Sequence, residues 1–161
     1  MILTRENNAV RLAALDTLLV GAACLIPSVS HLVALPLYVL NPMLALLLAG
    51  MLQGRGWKNG LLLALLMPLA SGLIAGMPAA PKMVCMMAEW ATVAVAFGWL
   101  QRRWAVLPAV LTAVVAGKVV YYGLKALVMA PAVLVGTDWK MQLLAVLLWG
   151  GLFAVLYKRV K

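Results

Sequence analysis

The chain has 161 residues, 66% of them hydrophobic and only 11% charged, with a net charge of +9. Soluble domains are about 45–50% apolar and about 25% charged, so a mean hydropathy of +1.07 excludes a soluble fold of this size and requires lipid over part of the surface. The basic excess does not build a nucleic-acid face either, because the Lys and Arg residues sit at the ends of apolar runs rather than on one soluble surface.

A membrane-spanning helix takes roughly 20 mostly apolar residues. Six would take about 120, leaving room for tails and loops but for no separate soluble domain. The first run, near residues 9–26, stops at Pro27. Arg5 and Arg11 ahead of it resemble the start of a secretory leader, but Asp16 and the lack of a clear cleavage site favour a retained helix. Within this run Ala9, Ala13, Thr17 and Gly21 recur every four residues. Small residues at that spacing let another helix come close, either a partner's or a neighbour's within the bundle.

The second run, near 32–52, follows His31 and contains Pro36, Pro42 and, near its middle, Asn41. The third, near 60–75, contains Pro68 and ends at Gly76-Met77-Pro78, and its Gly72 and Gly76 give a fainter small-residue signal. Prolines inside these two runs predict kinked or shortened helices. The fourth run lies near 82–100, the fifth near 105–129 before Pro131, and the sixth near 137–157. Cys24 and Cys85 fall inside apolar runs without a CxxC or a neighbouring His, which reads as packing rather than a metal or disulfide framework.

The charges orient these spans. Arg5, Arg11, Arg55, Lys58, Arg102, Arg103, Lys158, Arg159 and Lys161 all fall on one side if there are six crossings, whereas Lys82 and Lys140, the latter near Asp138, fall on the other. Loops rich in Lys and Arg stay in the cytoplasm. The expectation is an all-α polytopic membrane helix bundle, residues 1–161 as one transmembrane domain, with six transmembrane helices and both termini inside. Five or seven crossings would break the charge pattern. Trp57, Trp99, Trp104 and Tyr157 fall at inner ends and Trp139 at an outer end, as in interfacial belts.

Asp16, Glu89, Lys118 and Lys125 are ionisable residues inside predicted spans, where each costs roughly 2.5–3.5 kcal/mol at the membrane centre unless it faces a partner or a cavity. Lys118, Tyr121 or Tyr122, and Lys125 make one stripe on the fifth span. Glu89 falls at a comparable depth on the fourth, Asn41 is near mid-membrane, and Trp139 and Gln142 share a face of the sixth. These residues predict an outward-opening polar pocket: lysines for a carboxylate or phosphate, Glu89 for an amine or ring N–H. The competing reading is a Glu89–lysine pair that only joins helices, with the other lysine, Lys125 for preference, reaching toward the interface.

Two further alternatives remain. One is a small self-sufficient transporter or channel with Glu89 or Asp16 as proton relay, and the other is a non-transport structural membrane protein. The sequence contains no Walker A loop, no metal-ligand spacing and no acidic motif of an intramembrane enzyme. No cofactor, metal or catalytic residue is expected. A Ser–His pair from Ser28, Ser30 and His31 has no supporting feature.

The stretch GMPAAPKMVCMMAEWATVAVAFGWL, residues 76–100, resembles the loop and fourth helix of the substrate-binding S components of energy-coupling factor (ECF) transporters. It shares a Gly-x-Pro loop, then Pro, Met and Glu near the helix start, then a Gly-containing end. GKVVYYGLKALV in the fifth span is similar to the corresponding family segment, although the family often has Arg where this chain has Lys118. The alanine spacing of the first span is similar to the motif with which S components meet their partner. The resemblance covers about half of the chain in sequence and its whole architecture.

The resemblance implies a prokaryotic plasma-membrane protein that captures a vitamin or related micronutrient from outside. It implies partners as well: a membrane T component and two cytoplasmic ATPases, whose ATP hydrolysis topples the S component and carries the solute inward. By that resemblance Glu89, Lys118, Tyr121, Lys125 and Gln142 are site residues, and the face of Ala9 and Ala13 is the docking surface. Lysine in place of arginine removes the bidentate carboxylate contact.

Overall fold

The computed structural model describes residues 2–32, 41–53, 56–129 and 139–160. These form α1 (Ile2–Leu32), α2 (Pro42–Leu52), α3 (Trp57–Ala75), α4 (Ala80–Leu100), α5 (Val106–Met129) and α6 (Trp139–Val160). No strand occurs among the described residues. Five of the helices are long and apolar enough to cross a membrane, and α2, at 11 residues, is the short one. The chain is a multi-pass membrane helix bundle.

Two predicted boundaries are corrected. The first helix does not stop at Pro27 but carries it inside and continues to Leu32. Proline removes one N–H and crowds the carbonyl four residues earlier, yet a helix in lipid has more to lose by breaking, because its freed backbone groups meet no water. The second helix is shorter than predicted in its described part. Asn41 is not a mid-helix residue: it caps α2 with φ 49° and ψ 57°, the left-handed region. Asn tolerates that region better than other side chains, and the following Pro42 disfavours a right-handed helical Asn41 while suiting the first helical position itself. Residues 33–40, which include Pro36, lie outside the described set.

The other boundaries shift by a few residues. Trp57 opens α3, because Gly56 at φ 57° makes the preceding turn. Two residues before Lys82, Ala80 opens α4, with Pro81 at a helix start that needs no donor. The sixth helix runs on to Val160, with Lys158 and Arg159 in its last turn, where cations suit the helix dipole.

The helices pack in a ring of neighbours: α3 on α4, α4 on α5, α5 on α6, α6 on α2 and α2 on α3, while α1 leans on α3 and α2. The α4–α5 interface is the most extensive. Ala109, Ala113 and Gly117 recur every four residues on the buried face of α5. A methyl group at Gly117 would come 2.8 Å from the Glu89 carbonyl oxygen and also strike Val93, so only hydrogen fits. This close approach sets the register of the two antiparallel helices.

At the inner end Phe97, Phe153 and Tyr157 cluster edge to face, with Phe97 5.1 Å from Phe153 and 5.6 Å from Tyr157. The Tyr157 hydroxyl donates to Gln101 Oε1 at 2.7 Å. Tyr157 therefore ties α6 to the end of α4 and is not a belt residue. Trp57 also turns inward, its ring against Gly98. Trp99 and Trp104 are exposed, as a belt requires.

Candidate functional site

A polar core lies between α4 and α5, from the middle of both helices toward the end where α4 begins and α5 ends. Lys118 Nζ is 2.8 Å from Glu89 Oε1, with only 3% of the Glu89 side chain exposed. Gly117 explains the contact: it draws the α5 backbone onto Glu89 and leaves the next side chain at its level. Above the pair, Tyr121 is buried and its ring lies between two ammoniums, Lys118 at 5.6 Å and Lys125 at 5.7 Å. Lys125 also lies 5.8 Å from the Tyr122 ring, and the two tyrosine rings meet edge to face at 5.1 Å. A cation over an aromatic face gains about 0.5–2 kcal/mol as it loses water. Lys125 is thus half-buried over two rings rather than extended away from the bundle.

The structure brings Glu89, Lys118, Tyr121, Tyr122 and Lys125 into one constellation. Asn41 stands apart as the cap of α2, where Leu44 N–H donates to its carbonyl at 3.0 Å. Gln142 is half-buried on α6, and its Oε1 has no hydrogen-bond donor among the described residues. Trp139 opens α6, and its side chain lies outside the described set, as does that of His31.

Trp90 was not legible as a polar residue. It is fully buried beside Glu89 on α4, and its indole N–H has no acceptor among the described residues. A buried donor left unmade costs about 1–3 kcal/mol. The ring packs in the apolar core, one residue and about 100° around α4 from Glu89.

Asp16 belongs to a different cluster. Its Oδ1 accepts a 2.7 Å bond from Asn59 Nδ2, which also donates to the Gly50 carbonyl at 3.1 Å. The three residues join α1, α3 and α2 near the inner end, since Asn59 is the third residue of α3. Asp16 and Glu89 are therefore members of separate clusters, one near the start of α3 and the other at the middle of α4 and α5.

Ala9, Ala13, Thr17 and Gly21 are all exposed. Thr17 Oγ1 donates to the Ala13 carbonyl at 2.9 Å, which folds the hydroxyl onto its own helix, and nothing lies within 4 Å of a methyl placed at Gly21. Between Ala9 and Pro27 the buried residues are Asp16 and Ala23. Close small-residue contacts within the bundle fall at glycines of other helices, Gly117 of α5 among them, whereas Gly21 of the α1 stripe makes none.

An apolar groove of about 250 Å³ lies between α2 and α6, lined by Ala45, Ala49, Leu52, Trp149, Phe153 and Leu156 among others. It shares no residue with the polar constellation. Within the described residues no group of three or more His, Cys, Asp or Glu is placed to hold a metal ion.

No family model, curated protein or solved structure matches this chain. The functional reading rests on the residues themselves.

Proposed function

We propose that this protein is a solute-capturing subunit of an energised membrane importer, of the kind represented by ECF S components. It binds a small polar solute, a vitamin or related micronutrient, from the outer side of a prokaryotic plasma membrane. The observation that carries the reading is the constellation of Glu89, Lys118, Tyr121, Tyr122 and Lys125, which starts at the middle of α4 and α5 and rises toward their outer ends. Two cations, a carboxylate and two phenols between two spanning helices are costly in lipid, and a polar solute is a reason to keep them. Gln142, on α6, has a buried Oε1 without a donor among the described residues.

The exposed Ala9–Ala13–Thr17–Gly21 face supports the second half of the proposal. It is the surface that a membrane T component would meet, with two cytoplasmic ATPases supplying the energy outside this chain. The protein itself carries no chemistry.

A structural reading has one observation in its favour, the 2.8 Å contact between Glu89 and Lys118, which would join α4 to α5 whether or not a solute binds. Purified protein in liposomes separates the readings. Solute capture predicts saturable, tight binding without accumulation in the lumen, and Ala13→Trp abolishes capture of the partner complex while leaving binding intact. Accumulation by the chain alone would identify a self-sufficient transporter, and absence of any saturable solute would leave the structural role.

A further inference from the structure

Glu89 and Lys118 are the lower rung of a two-rung ladder between α4 and α5. Seven residues toward the outer end of α4 stands Lys82, and seven residues toward the outer end of α5 stands Lys125. Seven residues are two helical turns, about 10 Å of rise, with a drift of only about 20° around the helix. Because the helices are antiparallel and Gly117 holds them in close register, Lys82 and Lys125 occupy the same two faces as Glu89 and Lys118, one level higher. Lys82 is exposed and Lys125 half-buried, so this level opens at the end of the bundle. The lower rung joins a carboxylate to an ammonium, whereas the upper rung sets ammonium against ammonium.

Among the described residues the carboxylates with placed side chains are Asp16 and Glu89. Asp16 is held by Asn59 in the inner half, and Glu89 is held by Lys118. Neither reaches the upper rung. The tyrosines beneath Lys125 supply π-faces, which steady one cation but bring no negative charge.

We infer that the upper rung is an anion site, in which the carboxylate or phosphate of the captured solute bridges Lys82 and Lys125. The inference rests on the solute-capture reading and deepens it: the ligand is an anion, its charged group lies at the outer mouth, and Glu89–Lys118 forms the floor beneath. Lysines act here as point charges, which suits either anion. The lysine of the lower rung is already committed to Glu89, so Lys82 and Lys125 set the charge preference.

The test uses the full chain in neutral, phosphate-free maltoside micelles. Phenyl phosphate and benzoate are the probes, benzyl alcohol is the uncharged control, and thermal unfolding is the readout. The anionic probes should raise the unfolding temperature saturably and the alcohol should not. Lys82→Gln and Lys125→Gln should each weaken the effect at least tenfold and leave the unliganded protein folded. Equal stabilisation of wild type and both variants overturns the inference.

Two further arms address other sources of the anion. Stabilisation by added phosphatidylglycerol in place of the soluble anions would mean a lipid headgroup site and would also overturn it. So would Asp138→Asn destabilising the unliganded protein as much as Lys125→Gln does, because the anion would then be internal. A retained native solute that is neutral or cationic removes this inference and leaves solute capture standing; absence of any retained solute removes both.

Discussion

Glu89 can sit in an apolar interior because Lys118 meets it at 2.8 Å. Removing one member of such a pair leaves a buried charge unpaired, at a cost of about 3–5 kcal/mol. Lys118→Met should therefore lower stability by roughly that amount, measured by denaturant unfolding in detergent. Glu89→Leu combined with Lys118→Met should recover most of it, since a buried ion pair is often replaceable by well-packed apolar residues. The double variant is informative for function because it separates helix joining from solute binding: it should fold and fail to bind. That a lysine and an aromatic stripe ran along the fifth span was legible from i, i+3 and i+7 spacing alone. Which lysine pairs with Glu89 was not, because pairing depends on the register of two helices distant in sequence. Asn59 escaped notice for a related reason: next to Trp57 and Lys58 it reads as an interfacial polar residue, and only the approach of α1 turns it into the partner of Asp16.

Helices α4 and α5 depend on the absence of a side chain at Gly117. Gly117→Leu should force them apart at the level of Glu89, break the ion pair and lower the unfolding temperature. Gly123→Leu, six residues further along the same helix with open space around its α-carbon, should be tolerated. Equal effects of the two would refute the close-approach account. At this scale the apolar runs located all six helices, because lipid leaves little alternative to a helix. Helix ends were less legible. Pro27 and Asn41–Pro42 carry similar local signals of a break, yet the chain passes helically through the first and turns at the second. The difference is a residue in the left-handed region at Asn41, which no periodicity reports.

The whole molecule separates its features by face and depth. A polar constellation lies between α4 and α5 from their middle toward the outer end, an aromatic and amide cluster ties the inner ends, and the small residues of α1 stay exposed on the flank. This layout depends on both termini being cytoplasmic, an orientation read from the Lys and Arg bias. Single cysteines introduced at exposed Arg103 and Lys158, in a background lacking Cys24 and Cys85, should react with an impermeant maleimide only after the membrane is opened. One at exposed Met77 should react in intact cells, and the reverse pattern would turn the site inward. The central claim is capture of a solute, and native mass spectrometry of the protein purified from its own membranes tests it most directly. The account predicts a stoichiometric small-molecule adduct on the wild-type chain, absent from the folded Glu89→Leu/Lys118→Met double variant. A wild-type chain that carries nothing, or an adduct unchanged in the double variant, would contradict it.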